Sequence, residues 1–212
     1  KKNNGKICIT SRILCVFIGI FTLLITATAL SKMVLYIQSF GMTVLRITTS
    51  AFMLFIGIVF IAVILRCFIS RIQVLRTALI AATCILLVLG IGNINAVVAK
   101  YNVYAYAYGK LESVDVETLY DLGDEGVPYI VLLTRFKDDE IREAAIQRCG
   151  DLIDRYYEVE YKYDDDYDIS VSRHIVKDKK YSKPEQWGFS RARAYKELEK
   201  YIERNDELYI KK

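Results

Sequence analysis

Residues 44–65 read VLRITTSAFMLFIGIVFIAVIL, a stretch with one charged side chain, Arg46, and no carboxylate. Apolar side chains surround the helix axis instead of forming a stripe, a pattern that suits lipid on all sides rather than a face turned to water. At 1.5 Å per residue a helix of this length spans roughly 30 Å, the thickness of a bilayer's hydrocarbon core. The same texture recurs on both sides. A span is expected near 13–30, from Ile13 to Leu30, extending through Met33-Val34-Leu35-Tyr36-Ile37 if Lys32 snorkels to the headgroups. A third is expected near 75–91, from Leu75 to Ile91. Gln38-Ser39-Phe40-Gly41 is read as the break between the first two. Short links leave adjacent spans antiparallel.

Charge divides the chain at the same place. The formal total is +4, but all 25 acidic residues follow position 110, beginning with Glu112. Residues 1–92 carry nine Lys and Arg and no Asp or Glu, whereas 93–212 carry the other 20 cations and all 25 acids, a net of −5. A segment without carboxylates holds no acid pair for proton transfer and has none of the mixed charge of a soluble surface. The expected architecture is therefore mainly α. A membrane domain over 1–92 precedes a small all-helical soluble domain over 93–212, with a polar loop near 160–186.

Basic residues in short flanks set orientation. Lys1, Lys2, Lys6 and Arg12 fall on one side with Arg66, Arg71 and Arg76; Lys32, Arg46, Lys100 and Lys110 fall on the other. Seven against four places the amino terminus inside and the soluble domain outside the cell membrane. The lead-in resembles the basic region of a signal peptide, yet no clear cleavage site follows and two more apolar runs do. The chain starts at Lys1 rather than Met, so upstream sequence with further spans is expected.

In the second half the period becomes helical. Asp115 is expected to cap a short helix ending at Leu122-Gly123. Asp124 is expected to open a second through Pro128 to Phe136, the proline sitting where its missing N–H costs nothing. Asp138 is expected to cap a third, with Ile141, Ala145, Cys149, Leu152 and Tyr156 along one face. Ser190 is expected to cap the last, with Ala194, Leu198, Tyr201 and Ile202 inward.

Chemistry is sparse. The five cysteines form no C-x-x-C pair and the single histidine, His174, has no nucleophile beside it, so no metal, cofactor or catalytic residue is assigned. Asp164, Asp166 and Asp168 alternate like calcium ligands, but Ile169 and Ile175 occupy the places of the required Gly and Glu, and a solvated loop is expected. Lys177, Lys179, Lys180 and Lys183 are offset by these acids, and nucleic acid is not expected as a partner. Arg46, with Thr43 beside it, reads first as an interfacial anchor and second as a site for an anion or lipid headgroup held with neighbouring hydroxyls. Tyr104, Tyr106 and Tyr108 read first as an aromatic belt where the third helix leaves the lipid, or else as a strand or stacking surface. These tyrosines and Trp187 are the candidate anchors for a protein partner, although Trp187 also suits packing of the last helix.

Two resemblances follow. Gly126-Val127-Pro128-Tyr129-Ile130-Val131-Leu132-Leu133 with Asp138-Asp139-Glu140-Ile141-Arg142-Glu143-Ala144-Ala145 is similar to a single HEAT-type helical hairpin, covering about 126–157. Five further stretches resemble the carboxy-terminal part of an uncharacterised family of bacterial multi-pass membrane proteins, domain of unknown function 4173, whose sister is 4153. They are Leu35-Tyr36-Ile37, Phe40 to Arg46, Asn93 to Asn102, Leu119 to Pro128, and Gln186 to Ala194. In the fourth, Gly126 stands where the family has Ala. In the last, Ser190 stands near the family's Asn. The resemblance implies more spans upstream and supplies no activity. The expected role is a non-enzymatic protein of the cell envelope that sits in the bilayer and binds a protein through 93–212 or senses envelope conditions. The alternative is part of a transporter or lipid-handling protein with Arg46 near its site.

Overall fold

The computed structural model describes residues 9–163, 171–178, 188–205 and 209–211, with the strand segments from 158 onward described by their backbone alone. It is mainly helical and divides into two units, Lys1–Ile94 and Asn95–Lys212.

The first unit holds α1 (Ile9–Phe40), α2 (Val44–Phe68) and α3 (Val74–Ile91), each long and apolar enough to cross a membrane. α2 packs against both α1 and α3. The first helix is continuous through Lys32 and ends at Phe40, so the break falls at Gly41. Gly41 has φ +77°, a left-handed conformation that a side chain resists. The α1–α2 contact is made close by small residues. A Cβ on Gly19 would lie 2.7 Å from Cγ1 of Ile64, and one on Gly57 would lie 3.8 Å from Cγ2 of Thr26. Backbones approach at such points because lipid supplies no hydrophobic drive for helix association, leaving van der Waals packing to do it. Nine hydroxyls in these helices are satisfied within their own helix. Thr22, Thr26, Thr28, Ser31, Thr48, Thr49, Ser50, Thr77 and Thr83 each donate to the carbonyl four residues back. In hydrocarbon an unsatisfied donor costs several kcal/mol, so this back-bonding lets hydroxyls occupy a lipid-facing helix.

The second unit opens with α4 (Ile94–Ala107), which follows a turn at Gly92-Asn93. Val98, Ala99, Asn102, Val103 and Ala105 of α4 are buried. The helix thus belongs to the core of its unit, and the strand alternative is replaced by helix at Tyr104 and Tyr106, with Tyr108 in the turn that follows. α5 (Val116–Asp121) is capped by Asp115, whose carboxylate accepts from the N–H of Glu117 at 2.9 Å. A 3-10 turn over Gly123–Glu125 leads into α6 (Val127–Leu133). Asp124 therefore caps nothing: it lies inside the turn, and α6 starts from Gly126 with Pro128 in its first turn. Gly126 is held tightly, since a Cβ there would lie 1.8 Å from the Leu119 carbonyl oxygen. α7 (Asp139–Tyr156) is capped by Asp138, which accepts from Glu140 and Ile141, and packs on α6 as the expected hairpin.

α8 (Phe189–Arg204) buries Ala194, Tyr195, Leu198, Tyr201 and Ile202. Gly188, not Ser190, stands at its start. Ser190 lies within the first turn and its hydroxyl donates to the Glu125 carboxylate.

The second unit also carries a small sheet beside its helices. β1 (Tyr157–Tyr163) pairs antiparallel with β2 (Val171–Asp178), with a bulge at Glu158/Val159, and β3 (Tyr209–Lys211) adds parallel to β2. These strands run through part of the stretch read as a polar loop near 160–186. The signal was a period of two: Val159, Tyr161 and Tyr163 alternate with Glu158, Glu160 and Lys162. High charge concealed it, because β-branched and aromatic residues on one face make a strand even when the other is fully polar. Asp164, Asp166, Asp168, Lys179, Lys180, Lys183 and Trp187 lie outside the described residues.

Candidate functional site

The α1–α2 turn brings Thr43 and Arg46 together. Thr43 is the N-cap of α2, its Oγ1 accepting from the Arg46 N–H at 3.2 Å. The Arg46 guanidinium reaches back to donate to the Gly41 carbonyl. Both side chains therefore close the hairpin. The hydroxyl protons of Thr48, Thr49 and Ser50 already go to backbone carbonyls, so they offer an incoming anion no donor.

The tyrosines of α4 separate onto different faces. Tyr104 and Tyr108, four residues apart, stack with ring centroids 6.3 Å apart and are 44% and 75% exposed. Tyr106 points elsewhere: its ring lies 5.6 Å from Phe136 and its hydroxyl donates to Asp138 at 2.9 Å. It locks α4 to the start of α7.

Beside Tyr104 a groove of about 480 Å³ opens between α4, α6 and α8. Val97, Lys100 and Tyr104 come from α4 at spacings of three and four, which place them on one face. Pro128, Tyr129 and Leu132 form the floor from α6, and Arg135 stands just past its end. Arg193 and Glu197, one turn apart, come from α8. The Arg193 guanidinium lies over the Tyr129 ring at 5.8 Å from the centroid, which restrains it. Glu197 is already paired with Lys200 at 2.8 Å. Among the described residues no carboxylate pairs with Lys100, Arg135 or Arg193. The groove thus presents three cations beside exposed Val97 and Tyr104, in a part of the chain whose net charge is −5.

A second cleft has the opposite sign, lined by Glu112, Asp115, Glu117, Asp138 and Glu140. Asp115 and Asp138 cap helices and Glu117 pairs with Arg148, so most of these carboxylates already serve the fold.

A polar knot ties α8 to the hairpin. The Tyr156 hydroxyl donates to Asp124. Arg191 lies 3.7 Å from Asp124 Oδ1 and 4.7 Å above the Tyr156 ring, and the Tyr195 hydroxyl donates to the Tyr156 carbonyl at 3.2 Å. Burial, then the hydrogen bond and charge of Asp124, push the Tyr156 phenol upward. It is a fixed proton donor and no nucleophile. Burial likewise pushes the Cys149 thiol up to about 12, which keeps it protonated and unreactive. Among the described residues no group of three His, Cys, Asp or Glu is placed to hold a metal ion. The backbone of His174 pairs with Glu160 across the β1–β2 ladder.

Sequence reasoning missed Lys100, Arg135, Arg193 and Glu197. Lys100 with Tyr104, and Arg193 with Glu197, are i,i+4 pairs that helical spacing nominates singly. Their convergence joins positions up to 97 residues apart, from Lys100 to Glu197, and has no local signature.

A family described as domain of unknown function (DUF4153) matches residues 2–133, more than half of the chain. This replaces the expected 4173 by the family named as its sister. The match takes in the three apolar helices, α4, α5 and α6, and stops before α7, so the resemblance at Gln186 to Ala194 falls outside it. No curated protein and no solved structure matches the chain significantly.

Proposed function

The chain belongs to the DUF4153 family, and from that premise we propose that it is a non-enzymatic, multi-pass protein of a bacterial cell membrane whose helical unit binds a protein partner. The partner is an acidic, partly apolar segment that lies in the α4–α6–α8 groove, and the unit faces outward from the cell. One observation carries the reading: Lys100, Arg135 and Arg193 converge beside exposed Val97 and Tyr104 without a paired carboxylate among the described residues. A cation-rimmed groove with an aromatic ring at its edge has the composition of a peptide-binding surface, where the ring anchors and the charges steer. The Tyr104–Tyr108 stack extends the apolar surface along α4.

The test places a photo-crosslinking residue at Tyr104 of the full chain in cells, with a control at exposed Glu143 on α7. A discrete product from position 104 only, lost when Arg135→Glu and Arg193→Glu are added, supports the reading. Equal products from both positions, or a product indifferent to charge reversal, overturn it. Outward placement rests on the seven-to-four distribution of flanking cations. A cysteine introduced at exposed Lys137 should react with an impermeant maleimide on intact cells; reaction only after permeabilisation places the unit inside.

The alternative, a lipid-handling or transport role centred on Arg46, has less support because Arg46 and Thr43 are engaged in closing the turn. Unchanged expression with a substrate-dependent defect in Arg46→Gln would favour it instead.

A further inference from the structure

The end of α2 and the start of α3 form a cleft of about 520 Å³ lined by Arg66, Ile72, Gln73, Val74, Leu75, Arg76 and Leu79. Two guanidinium groups thus share one small concavity. Arg66 is held there: its Nη1 donates to the Ile72 carbonyl at 3.0 Å, which fixes the side chain across the α2–α3 link. Arg76 lies in the first turn of α3, on the same side of the membrane segment as the last turn of α2.

What distinguishes this cleft is its lack of an internal counter-ion. The unit Lys1–Ile94 contains no Asp or Glu. In the second unit some arginines meet carboxylates, as Arg148 meets Asp151 at 2.8 Å and Arg142 meets Asp139, whereas the first unit supplies none to meet. Arg66 and Arg76 have no such neighbour within their unit, so an anion that neutralises them comes from outside it. The apolar wall identifies the source. Leu75 stands beside Arg76 at the start of α3 and is 74% exposed, and Leu79, one turn further down the helix, is 61% exposed. Cations at the ends of two spans with an apolar track descending from them match a lipid: phosphate at the guanidiniums, acyl chain along the leucines.

We propose that the Arg66–Arg76 cleft is a binding site for the phosphate headgroup of an anionic phospholipid, with its acyl chain against Leu75 and Leu79. Guanidinium is suited to this role because its fixed fork of donors matches phosphate oxygens two at a time and it keeps its charge at any relevant pH. The site lies wholly within the first unit and is independent of the groove in the second.

The experiment is native mass spectrometry of the full chain released from nanodiscs that hold phosphatidylglycerol and phosphatidylcholine in equal amounts. The wild type should retain phosphatidylglycerol roughly tenfold over phosphatidylcholine, the scale expected for two headgroup-directed cations. The double variant Arg66→Gln, Arg76→Gln should fall to parity. A matched variant, Arg12→Gln with Lys32→Gln, removes the same charge elsewhere and should keep the preference. Equal loss in both double variants means diffuse surface charge and overturns the site. Release of the lipid by millimolar inorganic phosphate means a free anion is the ligand, and overturns the lipid assignment. Parity in the wild type overturns the proposal by itself, whether or not the Gln variant stays folded.

Discussion

The two units bury their apolar residues in opposite ways. In α1, α2 and α3 only 6%, 11% and 6% of the most apolar windows are buried within the protein. In the second unit Leu119, Ile130, Leu133, Leu152, Ile153, Leu198 and Ile202 are all fully buried. The same side chains are therefore directed at two solvents. A helix apolar on every face leaves its burial to lipid and touches its neighbours through small residues such as Gly19. An amphipathic helix such as α7 or α8 turns one stripe inward and depends on its neighbours for that stripe to be stable.

The largest expected contrast comes from trimming the same residue in each unit. Leu198→Ala leaves a cavity in a closed core and should cost about 2–5 kcal/mol. Leu24→Ala, at a position 59% exposed in α1, should cost well under about 1 kcal/mol. Limited proteolysis of the full chain in nanodiscs reads both: the first should speed cleavage within α5 to α8, and the second should not. Equal effects would break the contrast.

Next is the reverse substitution. Leu54→Lys puts a cation near the middle of α2, where insertion is opposed by about 2.5–3.5 kcal/mol. Gln147→Lys on the exposed side of α7 should stay within about 0.5 kcal/mol. The fraction of chain inserted in membranes separates them, and normal insertion of Leu54→Lys would mean that α2 does not meet lipid there.

A backbone contact comes third. Gly126→Ala restores the residue of the resembling motif but drives a methyl against the Leu119 carbonyl, and should cost about 1–3 kcal/mol. A melting temperature of the second unit at or above wild type would show that the turn relaxes freely.

The last is a pH effect confined to the second unit, small near pH 9 and growing above it. Burial raises the Cys149 thiol from 9.0 to about 12 in the folded protein. The folded form then keeps a proton that the unfolded chain releases. This contribution is complete below 9.0 and is lost as pH rises toward 12. The melting temperature of the second unit should fall across that window, and Cys149→Ala should fall less steeply. Equal slopes would remove Cys149 as a cause.

The differences between expectation and structure follow from range. Asp115 and Asp138 were legible as caps because a cap acts on amides two or three residues away. Asp124 has the same side chain but lies in a 3-10 turn, where its carboxylate meets Tyr156 and Arg191. Ser190 likewise meets Glu125, 65 residues back in sequence, instead of its own helix. The β1–β2 pair was missed because Glu and Lys dominated the reading of a stretch whose alternation was already strand-like.

By itself, the sequence determined the three apolar helices, the separation of charge between the two units and the inward stripes of α7 and α8. All of these are properties of a single segment meeting one solvent, so composition and period suffice. Tertiary structure alone decided that Tyr104 faces out while Tyr106 locks onto Asp138, that Lys100, Arg135 and Arg193 share one groove, and that Arg66 and Arg76 share another. Convergence depends on how helices pack, and packing is settled by side chains distant in sequence.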